Sequence, residues 1–149
     1  MYQKILVPVE NSPFDHAIVD HVVELAKICQ SHVVLIHVAD GWAARNISQL
    51  QLRESEEMKN DRDYIEKLAA DIESKGVDAE ALLASGDPAT EIAQAAVREN
   101  CDLIAMSTHG HKFIGDMIHG SVAHAVRHAS HIPVLLVRGS SHGRVSKVK

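Results

Sequence analysis

Five short stretches of the chain are apolar almost without interruption: "KILVPV" (Lys4–Val9), "HVVLIHV" (His32–Val38), "AEALLA" (Ala79–Ala84), "LIAMS" (Leu103–Ser107) and "PVLLV" (Pro133–Val137). A strand with one face in water alternates apolar and polar residues. A strand apolar on both faces must be covered on both, which is the mark of a parallel sheet with helices packed on each side. Helical patterns separate the five runs. Phe14, Ile18, Val22, Leu25 and Cys29 recur at helical spacing, and Tyr64, Leu68 and Ile72 do so in a long segment ending before Gly76. Ile92 and Ala96 repeat the spacing after Asp87-Pro88, and a last helix opens at Gly120-Ser121 and runs to about Ala129. The order is β-α-β-α-β-α-β-α-β. With right-handed crossovers, the expected fold is a single-domain, open, five-stranded parallel α/β sheet of strand order 3-2-1-4-5 with helices on both faces.

Local signals set the boundaries. Ser12-Pro13 reads as a helix cap followed by proline at the first helical position, and Asp15, three residues after Ser12, makes an imperfect capping box. Asp87-Pro88 repeats the cap and proline. A loop is expected from the end of the second strand through about Asn46. The domain is read as residues 1–138, followed by a flexible basic tail over 139–149, "GSSHGRVSKVK".

Composition narrows the function. A chain of 149 residues is long enough to bury a core, and with aromatics at 3% that core must be built from aliphatic side chains. A net charge of −5 argues against a general nucleic-acid binder. No apolar run approaches the length of a membrane span, and the N-terminus lacks a signal-peptide layout. Cys29 and Cys101, without CxxC spacing, read as reduced thiols of a cytoplasmic protein.

In such sheets ligands bind beyond the carboxyl ends of the strands, where the strand order reverses. Two strand ends stand out there, "PVENS" after the first and "MSTHG" after the fourth. Gly110 permits a sharp turn and a close approach to a ligand. Gly120-Ser121 sets backbone N–H groups and a hydroxyl at a helix N-terminus, where the dipole favours a phosphate. The nine residues between Gly110 and Gly120 would arch over it.

Ser107-Thr108-His109-Gly110, nine residues, then Gly120-Ser121 falls in register with a motif, G-x-x-G, nine residues, G-[S/T], and with it the chain resembles the nucleotide-binding branch of the universal stress protein family. "ILVPVENS", "GDPATEI" and "HIPVLLVR" resemble further segments of that family. The resemblance implies an ATP-type ligand (ATP, ADP or AMP), with magnesium a candidate companion for which Asp116 offers one carboxylate. It implies that Pro8, Val9 and Glu10 face the adenine and ribose, with Val38 on the adenine. Met106, Ser107, His109 and Gly110 would wrap ribose and phosphates, and Gly120, Ser121 and Val122 would hold the phosphates. It also implies a homodimer paired through the last strand, and a regulatory role in the stress response, exerted on an unidentified protein partner. Two positions depart from the family pattern: Ser107 replaces the first glycine, and Glu10 replaces the usual aspartate. The serine Cβ crowds the ligand or its hydroxyl adds a hydrogen bond; the sequence leaves both open.

Other functions fit less well. Neither a Walker A sequence nor a Rossmann G-x-G-x-x-G occurs, and no base–nucleophile pair is visible, so no catalytic residues are named and slow ATP hydrolysis at most is expected. A phosphoacceptor domain needs an aspartate at the end of the third strand, where Ser85-Gly86 stands. His124 and His128, at i and i+4, have a spacing that suits a shared metal, yet nothing completes a ligand set and no metal site is expected. The alternative is a degenerate family member, a ligand-free dimeric interaction module.

Overall fold

Buried β-branched residues dictate the sheet. The computed structural model describes residues 1–40, 51–108 and 121–139. Its strands are β1 (Lys4–Pro8), β2 (His32–Asp40), β3 (Ala79–Gly86), β4 (Leu103–Ser107) and β5 (Val134–Val137). They form one sheet in the order β3-β2-β1-β4-β5, and every pairing is parallel. The helices are α1 (Asp15–Cys29), α2 (Gln51–Ser74), α3 (Pro88–Arg98) and α4 (Ser121–Ala129). The expected topology is the observed one.

Side chains alternate across the sheet and separate two cores. Ile5, Val7, Val33, Leu35, Leu103 and Ala105 face α1 and α2, where Ile18, Val22, Ile65 and Ile72 meet them. Leu6, Val34, Ile36, Ile104 and Met106 face α3 and α4, where Ile92, Ala96, Ala123 and Val126 meet them. The buried stripe of α1 is Ala17, Ile18, Val19, Val22, Val23 and Ala26. It is rotated from the expected one, so that Leu25 and Cys29 are only half-buried.

β1 ends one residue before its expected end, at Pro8, and β5 begins one residue after its expected start, at Val134; three further boundaries differ for backbone reasons. β2 and β3 continue past their apolar runs because they pair with each other through Ala39–Ser85 and Asp40–Gly86, and ladder bonds need no apolar side chain. α1 begins at Asp15, not Pro13: Ser12–Phe14 form a turn, and Phe14 at the cap position makes no side-chain cap bond. Asp87 does cap α3, its carboxylate accepting from the Thr90 N–H at 3.0 Å and the Thr90 hydroxyl at 2.7 Å. Those two bonds hold its carboxyl below the usual range. The expected loop through Asn46, the Gly110–Gly120 arch and tail residues 140–149 lie outside the described residues. No helix among the described residues is long and apolar enough to cross a membrane.

Candidate functional site

The strand order reverses at β1 and β4. From β1 the chain crosses to β2 over the α1 face, whereas from β3 it reaches β4 over the α3 face. The carboxyl ends of β1 and β4 therefore diverge around a crevice.

Strand alternation sorts the candidate residues between the two sides. Pro8 and Val38 follow Leu6 and Ile36 by two, so they share the α3–α4 side with Met106. Val38 and Val122 are partly buried against that same core. Together they form a half-covered apolar shelf. The N-terminus of α4 opens beside it, with Ser121 exposed and no acidic residue in the first turn. Met106 is only 5% exposed and floors the shelf from within the core. Val9 is buried on the opposite side; its N–H donates to the Ile36 carbonyl at 2.9 Å. Glu10 is exposed beyond it. Of the candidate residues, His109, Gly110 and Gly120 lie outside the described residues, as does Asp116.

Ser107 belongs to the α1 side by the same alternation, following Leu103 and Ala105. A methyl group at Gly139 would come within 2.7 Å of the Ser107 Oγ and 3.3 Å of the Phe14 ring. The hydroxyl thus lies close to Gly139, on the side away from Met106.

A polar network supports the turn between β1 and α1 from beneath. Asp15, only 4% exposed, is its hub. The Glu10 N–H donates to Asp15 Oδ1 at 3.0 Å, the Ser12 N–H to Oδ2 at 3.0 Å, and the Tyr64 hydroxyl to Oδ2 at 2.6 Å. The Ser12–Asp15 bond is the returning half of a capping box, while the Ser12 Oγ accepts from the Phe14 N–H at 3.3 Å. Asn11 takes the left-handed conformation at φ 60°. One turn before Tyr64, Asp61 lies 3.2 Å from His37 Nε2 and accepts from the Asn11 amide at 3.4 Å. His37 Nδ1 is 3.0 Å from the Val9 carbonyl. Sequence reasoning missed His37, Asp61 and the role of Tyr64. The one signal was a histidine inside an otherwise apolar strand.

Two protons on this fold are held unusually tightly. Burial, then the hydrogen bond to Asp15 and its charge, push the Tyr64 phenol well above its ordinary value of 10.0. Burial pushes the Cys101 thiol from 9.0 to about 11. Both groups keep their protons in the folded state at a pH where the unfolded chain releases them. Their contribution is therefore complete below about pH 9 and is lost as pH rises. Urea unfolding should lose about 2 kcal/mol between pH 9 and 11 from Cys101 alone. Cys101→Ala should flatten that decline, and an unchanged slope in the variant would refute this origin.

His124 and His128 are exposed, with ring centroids 4.4 Å apart in an edge-to-face arrangement. Among the described residues no group of three or more His, Cys, Asp or Glu is placed to hold a metal ion.

An open, doubly wound, five-stranded parallel sheet of this order with helices on both faces defines a class of single-domain α/β proteins. Residues 1–138 match the universal stress protein family, and the chain belongs to that family. It is 30% identical over 149 residues to universal stress protein YxiE of Bacillus subtilis (strain 168), covering 93% of this chain and 100% of that protein. It is 30% identical over 158 residues to universal stress protein MJ0577 of Methanocaldococcus jannaschii, covering 93% and 96%. The solved structure of MJ0577 superposes with a TM-score of 0.85 at 26% identity, covering 94% of this chain and 98% of that one. The universal stress protein from Archaeoglobus fulgidus in complex with dAMP shares the fold at a TM-score of 0.64 and 20% identity, covering 92% and 98%.

Proposed function

We propose that this protein binds an adenine nucleotide of the ATP type in the crevice between β1 and β4, and acts as a regulatory module of the stress response. The observation that carries the reading is the meeting, at one end of the sheet, of an apolar shelf with a helix N-terminus whose first turn carries no acidic residue. The shelf, Pro8, Val38, Met106 and Val122, suits a flat heteroaromatic base. The α4 terminus, with the Gly120 and Ser121 N–H groups and the Ser121 hydroxyl, suits a phosphate. Val9 and Glu10 bring the end of β1 to the ribose. Ser107 ends β4 at the crevice, and by the family motif His109 and Gly110 would join it at the ribose and phosphates. The dAMP complex of a protein with the same fold supports an adenine nucleotide as the ligand class.

The Ser107 hydroxyl, lying close to Gly139, tunes the site without filling it. A magnesium ion would be held chiefly by the phosphates, with Asp116 the one carboxylate that the sequence between Gly110 and Gly120 offers. The protein works as a homodimer paired through β5. This strand ends the sheet and leaves Leu136 39% exposed on an edge that self-pairing would cover.

Calorimetric titration with ATP, ADP and AMP, with and without magnesium, tests the reading. Saturable binding of at least one of them by a protein that sediments as two chains is the expected result. Dimers that bind none would establish the ligand-free interaction module instead.

A further inference from the structure

His37 stands between Ile36 and Val38, and strand alternation turns it away from the shelf that Val38 joins, toward the turn beneath. Its side chain is 12% exposed and that of its partner Asp61 is 23% exposed. Both ring nitrogens face oxygens that only accept. Nδ1 is 3.0 Å from the Val9 carbonyl, and Nε2 is 3.2 Å from the Asp61 carboxylate. A neutral imidazole carries one N–H and no charge, so only the imidazolium both donates to the Val9 carbonyl and sets a positive charge against the Asp61 carboxylate. The neutral ring leaves a lone pair facing a carboxylate, or releases the Val9 carbonyl.

Among the described residues, Asp61 is the charged group in contact with this ring. The flanking strands contribute the Val9 carbonyl from the end of β1 and the uncharged Leu83 from β3. On α2, Arg62 and Asp63 are exposed, and Tyr64 is bonded to Asp15. On α1, the Asp15 carboxylate is occupied by Glu10, Ser12 and Tyr64, while the Glu10 side chain is exposed. The second Asp61 oxygen accepts from Asn11, in the turn itself.

We propose that His37 and Asp61 form a proton-gated clamp on the β1–α1 turn, in which the imidazolium bridges the Val9 carbonyl to α2 and thereby sets the nucleotide affinity of the adjoining crevice. The effect on affinity rests on the nucleotide reading above; the clamp itself does not. Raising the pH removes one ring proton, breaks one arm of the bridge and loosens the point at which the chain leaves β1. His37 and Asp61 are positioning residues: they act on the ligand through Val9 and Glu10.

Asp61→Asn separates this device from a merely structural contact. The asparagine amide donates to the Nε2 lone pair of the neutral ring, so the bridge survives without the second proton. In ligand-free protein, 1H–15N spectra from pH 5.5 to 8.5 should show both His37 ring nitrogens protonated at the acid end. The Glu10 and Ser12 amide signals should then move with the midpoint of the ring. In Asp61→Asn those amide signals should stay still. ATP affinity should fall about fivefold to tenfold across this range in the native chain, the scale of one modest hydrogen bond, and stay level in the variant. A ring that keeps one protonation state, or turn amides that ignore its titration, would overturn the clamp even if ATP binds. Amides that follow the ring in a protein that binds no nucleotide would support the clamp and defeat the nucleotide reading. If Asp61→Asn does not fold, the spectra of the native chain still decide.

Discussion

Asp15→Ala is expected to destabilise the fold by about 3 kcal/mol, measured by urea unfolding at neutral pH. Three donors converge on this buried carboxylate: the Glu10 and Ser12 N–H groups and the Tyr64 hydroxyl. Alanine removes the acceptor from all three. Glu10 is exposed, so water can reach its N–H after a small movement, whereas Ser12 is 7% exposed and its N–H would be left unpaired. An unpaired buried donor costs about 1–3 kcal/mol, and the loss of a bond to an ionised group is at the upper end of hydrogen-bond effects. Asp15→Asn should recover little, because its amide offers one acceptor oxygen and points an N–H at another donor. Asp20→Ala, an exposed position on the same helix, should change stability by less than about 0.5 kcal/mol. A loss under about 1 kcal/mol for Asp15→Ala would mean that the turn finds other acceptors and that Asp15 is not its hub.

That result would also explain why part of this molecule was open to sequence reading and part was not. β4 and α4 fall where the apolar runs and the Gly120-Ser121 signal put them, because burial on two faces writes itself into consecutive residues. The Asp87-Pro88 start of α3 was equally legible, since a cap and its proline act within one turn. The extra residues of β2 and β3 were not, because each is held by the backbone of the other strand. Least legible was the support beneath the crevice. Asp15 and Tyr64 are 49 residues apart in the chain, and Asn11 and Asp61 are 50 apart. Such pairs have no periodicity, and a buried aspartate at the start of a helix reads as an ordinary cap. The candidate residues came from a family motif; the alternation of the sheet is what divides them into a shelf of Pro8, Val38 and Met106 and a supporting side of Val9 and Ser107.

Ser121→Glu is the sharper test of the crevice, because it should move stability and binding in opposite directions. α4 carries no acidic residue in its first turn and has Arg127 and His128 in its last. The C-terminal end of its dipole is matched by basic side chains, whereas its first turn carries no carboxylate. A glutamate at position 121 would complete the match and stabilise the helix by about 0.3–1 kcal/mol. For a helix whose open end is only a surface feature, nothing else follows. For a helix that receives a phosphate, the new carboxylate occupies the charge that the ligand would have met. Two unit charges about 6 Å apart at an effective dielectric of 20 repel by about 3 kcal/mol, a loss of affinity of about a hundredfold. Ser121→Ala removes only the hydroxyl and should weaken binding by tenfold at most, about the effect of one hydrogen bond. The expected pattern is an unfolding midpoint for Ser121→Glu at or above that of the native chain, with ATP affinity reduced at least about a hundredfold. Retained affinity in the glutamate variant, with the fold intact, would move the phosphates away from α4 and leave the shelf without its polar partner.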